Sequence, residues 1–173
     1  LVPLTGDNAS VGKEIIKATR LALQDINSPK IEIHPKDTQS DPNIALRSAL
    51  ELKNLGINLI IGPVFYKNLS YLGDVKDVTF LSFTNKTLDL PKNVISTGIN
   101  STSQLNTIKK FIELNDIRKS IFLIPNSNYD LEIKQGIKKS KIKTFKKYYY
   151  DIEPTKLTKK IEKITNYEIR KQN

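Results

Sequence analysis

Short β-branched or aromatic runs alternate along this chain with segments whose apolar residues recur at helical spacing, and the alternation continues from end to end. Seven runs read as strands: Leu1–Leu4, Ile31–His34, Asn58–Ile61, Val78–Ser82, Val94–Thr97, Ser120–Ile124 and Thr144–Tyr150. Between them the helices announce themselves by their ends. After Thr5-Gly6-Asp7-Asn8, Ser10 is placed to cap a helix with Val11, Ile15, Ala18, Ala22 and Ile26 on its apolar face. Asp41-Pro42 supplies an N-cap and a first-turn proline for a second helix that stops at Gly56. A weaker helix near Lys67–Leu72 leads into the fourth strand. Ser101-Thr102-Ser103-Gln104 has the capping-box form and opens a helix through Leu114. Helices over Tyr129–Lys139 and from Pro154, with Leu157, Ile161 and Ile164 on one face, come after the last two strands.

Parallel neighbours need a crossover long enough to hold a helix, so this order predicts an α/β fold with mainly parallel sheets flanked by helices. The turn Asn115-Asp116-Ile117-Arg118 precedes a fresh strand and a change in charge balance, which places a boundary near Arg118. Residues 1–118 form a first α/β lobe in this reading, and residues 119–173 a partial second one, too short for a well-buried core of its own.

Composition narrows the chemistry. With 38% hydrophobic residues in 173 and no apolar run near the ~18–20 needed to span a bilayer, the chain reads as globular. Cysteine is absent, which removes disulfides, thiolate ligands and a thiol nucleophile together. The chain opens on Leu1 and contains no methionine, so it is expected to be a processed product without its targeting segment. The formal charge of +10 is local: residues 1–118 hold 14 Lys/Arg against 12 Asp/Glu, and residues 119–173 hold 14 against 6. The excess runs through Lys134, Lys138, Lys139, Lys141, Lys143, Lys146 and Lys147. A face meeting an anionic partner and a merely solvated face both account for it, and the solvated face is the plainer reading, with no nucleic-acid partner.

Most catalytic constellations need residues that this chain lacks. His34 is the single histidine, and no phosphate loop, dinucleotide turn or nucleophile elbow is present. Asp7, Asp37 and Asp41 lie near strand ends, but Asp41 is better used as a helix cap. The expectation is therefore a protein that is not an enzyme, with no cofactor and no metal. Open α/β sheets bind ligands at the carboxyl ends of their strands. That rule nominates Thr5, Asp7, Tyr66, Ser82, Thr84, Asn85 and, from the second lobe, Tyr129 as cleft candidates, since hydroxyls, amides and aromatics suit a small polar ligand.

Val2-Pro3-Leu4-Thr5-Gly6 followed by Gly12 resembles the first strand and helix of type I periplasmic binding proteins of the branched-chain amino-acid class. The likeness continues in order through Lys36-Asp37-Thr38, Ile60-Ile61-Gly62-Pro63-Val64-Phe65, Leu81-Ser82-Phe83-Thr84-Asn85 and Asn126-Ser127-Asn128-Tyr129. Gly62-Pro63-Val64-Phe65 and the closing Thr165-Asn166-Tyr167-Glu168-Ile169-Arg170-Lys171 are more similar to the penicillin-binding protein activator lipoproteins. The resemblance implies two α/β lobes joined by three crossings, with about half of the protein beyond Asn173. It implies a non-catalytic periplasmic module that touches a cell-wall synthase, a class A penicillin-binding protein, with membrane contact only through a lipid anchor at the outer membrane outside this sequence. The alternative it implies is a carrier that hands an amino acid to an ABC transporter permease. Carriers use a small hydroxyl residue after the third strand to hold the ligand carboxylate, and this chain has Phe65 and Tyr66 there.

Overall fold

In a computed structural model, residues 1–127, 129–144 and 146–166 are described. The chain forms two compact units, Leu1–Ile99 and Asn100–Asn173. The sequence places the boundary near Arg118; the structure groups the Ser101–Leu114 helix with the second unit, because that helix packs on the Asp130–Ser140 helix.

The first unit contains helices α1 (Ala9–Ile26) and α2 (Pro42–Asn54) and strands β1 (Leu59–Ile61), β2 (Thr79–Ser82) and β3 (Val94–Ser96). The strands pair in parallel in the order β1-β2-β3, with Ile60 opposite Phe80 and Phe80 opposite Val94. Those three residues point to one face and are buried with Ala49, Leu52, Leu69, Leu72, Val75 and Val78. Leu59, Ile61 and Ile95 alternate to the other face and stay exposed.

The first two predicted strands are reduced. Leu1–Leu4 forms one isolated bridge, Val2 in parallel with Asp37, by Val2 N–H to Lys36 O and Thr38 N–H to Val2 O, and the Leu1 amine donates to Ile61 O at 2.7 Å. Ile31–His34 is not a strand, and the ladder contact falls after Pro35, whose nitrogen carries no hydrogen to donate. The helix near Lys67–Leu72 is two 3-10 turns, Tyr66–Leu69 and Leu72–Asp74.

Asp41 caps α2 as its chemistry requires, accepting from the backbone of Asn43 and Ile44 at 2.8 and 3.0 Å. Ser10 does not cap α1. The cap position is Asn8, whose amide is diverted to the Ser40 hydroxyl at 3.1 Å. The inward face of α1 is also shifted from the predicted stripe: Ile15 turns in with Gly12, Ile16, Thr19 and Leu23, while Val11, Ala18, Ala22 and Ile26 are exposed. Gly12 decides this, since a Cβ there would fall inside the Pro3 carbonyl, so only glycine lets the helix rest on that strand segment.

The second unit holds α3 (Ser101–Leu114), β4 (Ile121–Pro125), α4 (Asp130–Ser140), β5 (Lys146–Tyr150) and α5 (Pro154–Thr165), with β4 and β5 parallel. Asn100, not the capping-box serine, caps α3 by accepting from Ser103 N–H at 3.0 Å. Ser101 is instead buried and donates to the Glu132 carbonyl of α4 at 2.7 Å. Gly136 permits this approach, because an added Cβ would meet Leu105 and Ser101 side chains at 2.9 Å. Leu105, Ile124, Ile137 and Ile142 form the core here.

Candidate functional site

The predicted residues Thr5, Tyr66, Ser82, Thr84 and Asn85 lie at or just past the carboxyl ends of strand segments in the first unit, and the first four are placed by contacts within it. Asp37, in the segment that pairs with Val2, accepts from Leu4 N–H at 2.7 Å, Thr5 N–H at 3.4 Å, Gln39 N–H at 2.9 Å and the Thr5 hydroxyl at 2.6 Å. Desolvation works to raise the pKa of this carboxyl, but the hydrogen bonds from Thr5, Gln39 and Leu4 outweigh it and hold the group below its ordinary value. Thr5 is thus a donor, through its N–H and its hydroxyl, to the Asp37 clamp. Asp7 stands exposed in the turn before α1.

After β1 the chain turns through Gly62-Pro63, a cis peptide, to half-buried Phe65 and Tyr66. The Lys86 ammonium sits 4.5 Å from the centre of the Tyr66 ring, a cation–π pair between the loops that follow β1 and β2. Ser82, fully buried at the end of β2, donates to Pro63 O at 2.7 Å and accepts from Thr84 N–H at 3.2 Å. Thr84 is buried too, and its hydroxyl accepts from Lys86 N–H at 3.2 Å. Asn85 is exposed and has an interaction partner of its own.

Two hydroxyls missed from the sequence complete the arrangement. Ser96 donates to Thr84 O at 2.6 Å and Thr97 donates to Ser82 O at 2.9 Å, so the end of β3 holds the loop after β2 in place. The signal was present as a Ser-Thr pair ending the fifth predicted strand. Asn68 was missed as well: it is buried in the Tyr66–Leu69 turn, and neither polar atom of its side-chain amide has a hydrogen-bond partner among the described residues. No sequence signal distinguishes it from the exposed asparagines around it.

Tyr129 belongs to the second unit, where it precedes α4 and donates its N–H to the Ser127 hydroxyl at 3.2 Å. Desolvation first, and the Glu132 charge second, raise its pKa, so the phenol keeps its proton. Asn128 and Tyr167 to Lys171 of the quoted motifs lie outside the described residues. His34 lies on the surface, with Nε2 3.3 Å from Glu32 Oε1. Among the described residues no group of three His, Asp or Glu side chains is arranged to hold a metal ion. A cavity of about 240 Å³ lies between Ile15, Ile16 and Thr19 of α1 and the Leu59–Ile61 strand.

The sequence profile of the periplasmic binding proteins matches residues 1–144. No curated protein sequence matches the chain. Among solved structures, LpoA from Haemophilus influenzae is similar at 16% identity and a TM-score of 0.72, over 94% of this chain and 31% of that one. The LpoA C-domain, described as a regulator of PBP1A, is 16% identical at a TM-score of 0.67, over 86% of this chain and 48% of that one. A solute-binding protein of an ABC transporter from Rhodopseudomonas palustris BisB5, in complex with 3,4-dihydroxybenzoic acid, is 21% identical at a TM-score of 0.56, over 87% and 46%. The chain therefore spans less than a third of whole LpoA and about half of the solute-binding protein.

Proposed function

We propose that this chain, which belongs to the periplasmic binding protein family, acts as a non-catalytic docking module of the periplasm, working by contact with a cell-wall synthase of the class A penicillin-binding protein type. The observation that carries the reading is the state of the polar groups at the strand ends. A carrier needs short donors left available for a ligand's carboxylate. Here Ser82 and Thr84 are buried and bonded to backbone, Thr5 donates to Asp37, and Tyr66 lies under Lys86. The Ser82 and Thr5 hydroxyls already donate within the protein and gain little from a new ligand, because each bond made to it replaces one that existed. Thr5, Asp7, Tyr66, Ser82, Thr84, Asn85 and Tyr129 remain the residues on which a ligand-binding reading would stand.

The test uses the intact protein. Calorimetry against branched-chain, polar and acidic amino acids is expected to give no saturable heat at micromolar concentration, and pull-down with a class A synthase is expected to show association. Tight amino-acid binding that disappears in Thr84→Ala or Tyr129→Ala overturns this reading in favour of a carrier.

A further inference from the structure

The second unit is electrically polar from end to end. Ile121 of β4 lies opposite Lys146 of β5 in a parallel pair, so α4 must carry the chain back to the end of the sheet at which both strands begin. The Ser120 hydroxyl donates to Lys143 O at 2.8 Å there, tying the two entrances together. Helix α3 leads into the same end through residues 115–120. Segments 115–120 and 138–147 hold eight Lys/Arg and one acid, Asp116. At the opposite end, segments 126–132 and 150–155 hold four acids, of which Asp130 and Glu153 pair with Lys134 and Lys156 at 2.6 and 2.8 Å.

Helix dipoles explain part of this, since cations favour helix C-termini, but that effect fades beyond the last turn. Lys138 and Lys139 lie in the last turn of α4, whereas Lys141 and Lys143 lie past it. All four are exposed, and no salt bridge joins them to a described residue. So many like charges repel one another, and nothing in the helix geometry offsets the repulsion outside that turn. Beside them, near the end of α3, Phe111 and Leu114 are 60% and 84% exposed, three residues apart on one face of the helix. Glu113, between them in sequence, is 3.9 Å from Lys109.

Exposed apolar side chains next to cations match an anionic bilayer, whose headgroups attract the cations and whose interfacial layer accepts the apolar tips. The residue type favours lipid over an acidic protein. Seven of the eight bases are lysine, and protein–protein interfaces are depleted in lysine while favouring arginine, whose planar fork suits paired carboxylates. Among the described residues no helix is long and apolar enough to cross a membrane, so the contact is a surface one. We propose that this end of the second unit docks on anionic lipid headgroups through Lys138, Lys139, Lys141 and Lys143, with Phe111 and Leu114 entering the interfacial layer.

The experiment is co-sedimentation of the full chain with vesicles of phosphatidylcholine alone and of phosphatidylcholine mixed with phosphatidylglycerol. Binding is expected only to the mixed vesicles, and it is expected to vanish at about 0.5 M salt, where charges more than a few ångströms apart are screened. Each lysine near an anionic leaflet is worth roughly a fivefold change in affinity. Converting Lys138, Lys139, Lys141 and Lys143 together to Gln should therefore weaken binding about a hundredfold or more, and Leu114→Asp should weaken it while the far-ultraviolet circular dichroism stays unchanged. Equal binding to both vesicle types, or undiminished binding of the four-Gln variant, overturns the proposal. Capture of an acidic protein in the absence of any vesicle binding also overturns it, and assigns the surface to a protein instead.

Discussion

The first unit surrounds three paired strands with ten buried apolar residues, whereas the second builds on four beneath two strands. Their charges differ as sharply: residues 1–99 hold 11 Lys/Arg against 10 Asp/Glu, and residues 100–173 hold 17 against 8. In the first unit Ser82 and Thr84 at the end of β2 are buried and bonded to backbone. In the second, cations turned to solvent gather at the end where the strands begin. The contrast teaches that the same strand-helix order can yield a stiff, nearly neutral body or a thinly cored, charged one, depending on how much apolar area each crossover covers.

The comparison breaks most visibly through the cores. Phe80→Ala should cost the first unit about 3–5 kcal/mol, and Ile124→Ala about 2–5 kcal/mol in the second, through lost burial and the cavity left behind. With a smaller core to draw on, the second unit should lose more of its order. Hydrogen exchange is expected to show Ile124→Ala abolishing protection between Asn100 and Asn166 while Leu1 to Ile99 keep theirs. Loss of protection in both units together would mean that they unfold as one body.

A smaller effect sharpens the picture of the strand ends. Asp37→Asn weakens acceptance of the bonds from Leu4, Thr5 and Gln39 and should cost about 1–2 kcal/mol, near the low end for charged acceptors because the carboxylate faces solvent in part. The folded-state pKa of Asp37 is depressed, so its stabilisation is present above the ordinary carboxylate pKa of about 3.9 and is lost as pH falls through the lower folded value. Denaturation measured from pH 7 down to pH 3 should therefore show a shallower acid loss in Asp37→Asn than in the parent. An identical acid limb in both proteins would show that the clamp contributes nothing.

The smallest expected effect separates the units by charge alone. Raising salt from about 0.05 to 0.5 M screens the repulsion among the lysines and should stabilise the second unit by a few tenths of a kcal/mol, leaving the first unchanged. Hydrogen exchange at the two salt concentrations reads each unit separately. A larger gain in the first unit would contradict the charge assignment.

Several features were legible because their causes are local. Asp41-Pro42 starts α2 and Pro154 starts α5 where the residues demand it, and five of the seven strand runs form strands in parallel pairs. Ser10 and Ser101 misled for one reason. Each has the chemistry of a cap, but Asn8 and Asn100 occupy the cap positions, and Ser101 found a partner 31 residues away in Glu132. The positions of the candidate site residues relative to the strands were legible, since Ser82 ends β2 and Tyr66, Thr84 and Asn85 follow β1 and β2. Where the Ser82 hydroxyl points was not, because that depends on the Pro63 carbonyl, nineteen residues away in sequence.

The sequence by itself therefore determined the strand-helix alternation, the parallel pairing that comes with long crossovers, the concentration of positive charge in the later part of the chain, and the lack of residues for most catalytic constellations. Each rests on residue type, or on chemistry acting within a few positions. Only the tertiary structure decided which face of α1 turns inward, that α3 joins the second unit, where the hydroxyls of Ser82 and Thr84 are bonded, and that the lysines gather at one end of β4 and β5. Those outcomes depend on which backbone can come close to which, as Gly12 does to Pro3 and Gly136 to Ser101, and such approaches exist only after distant segments have packed.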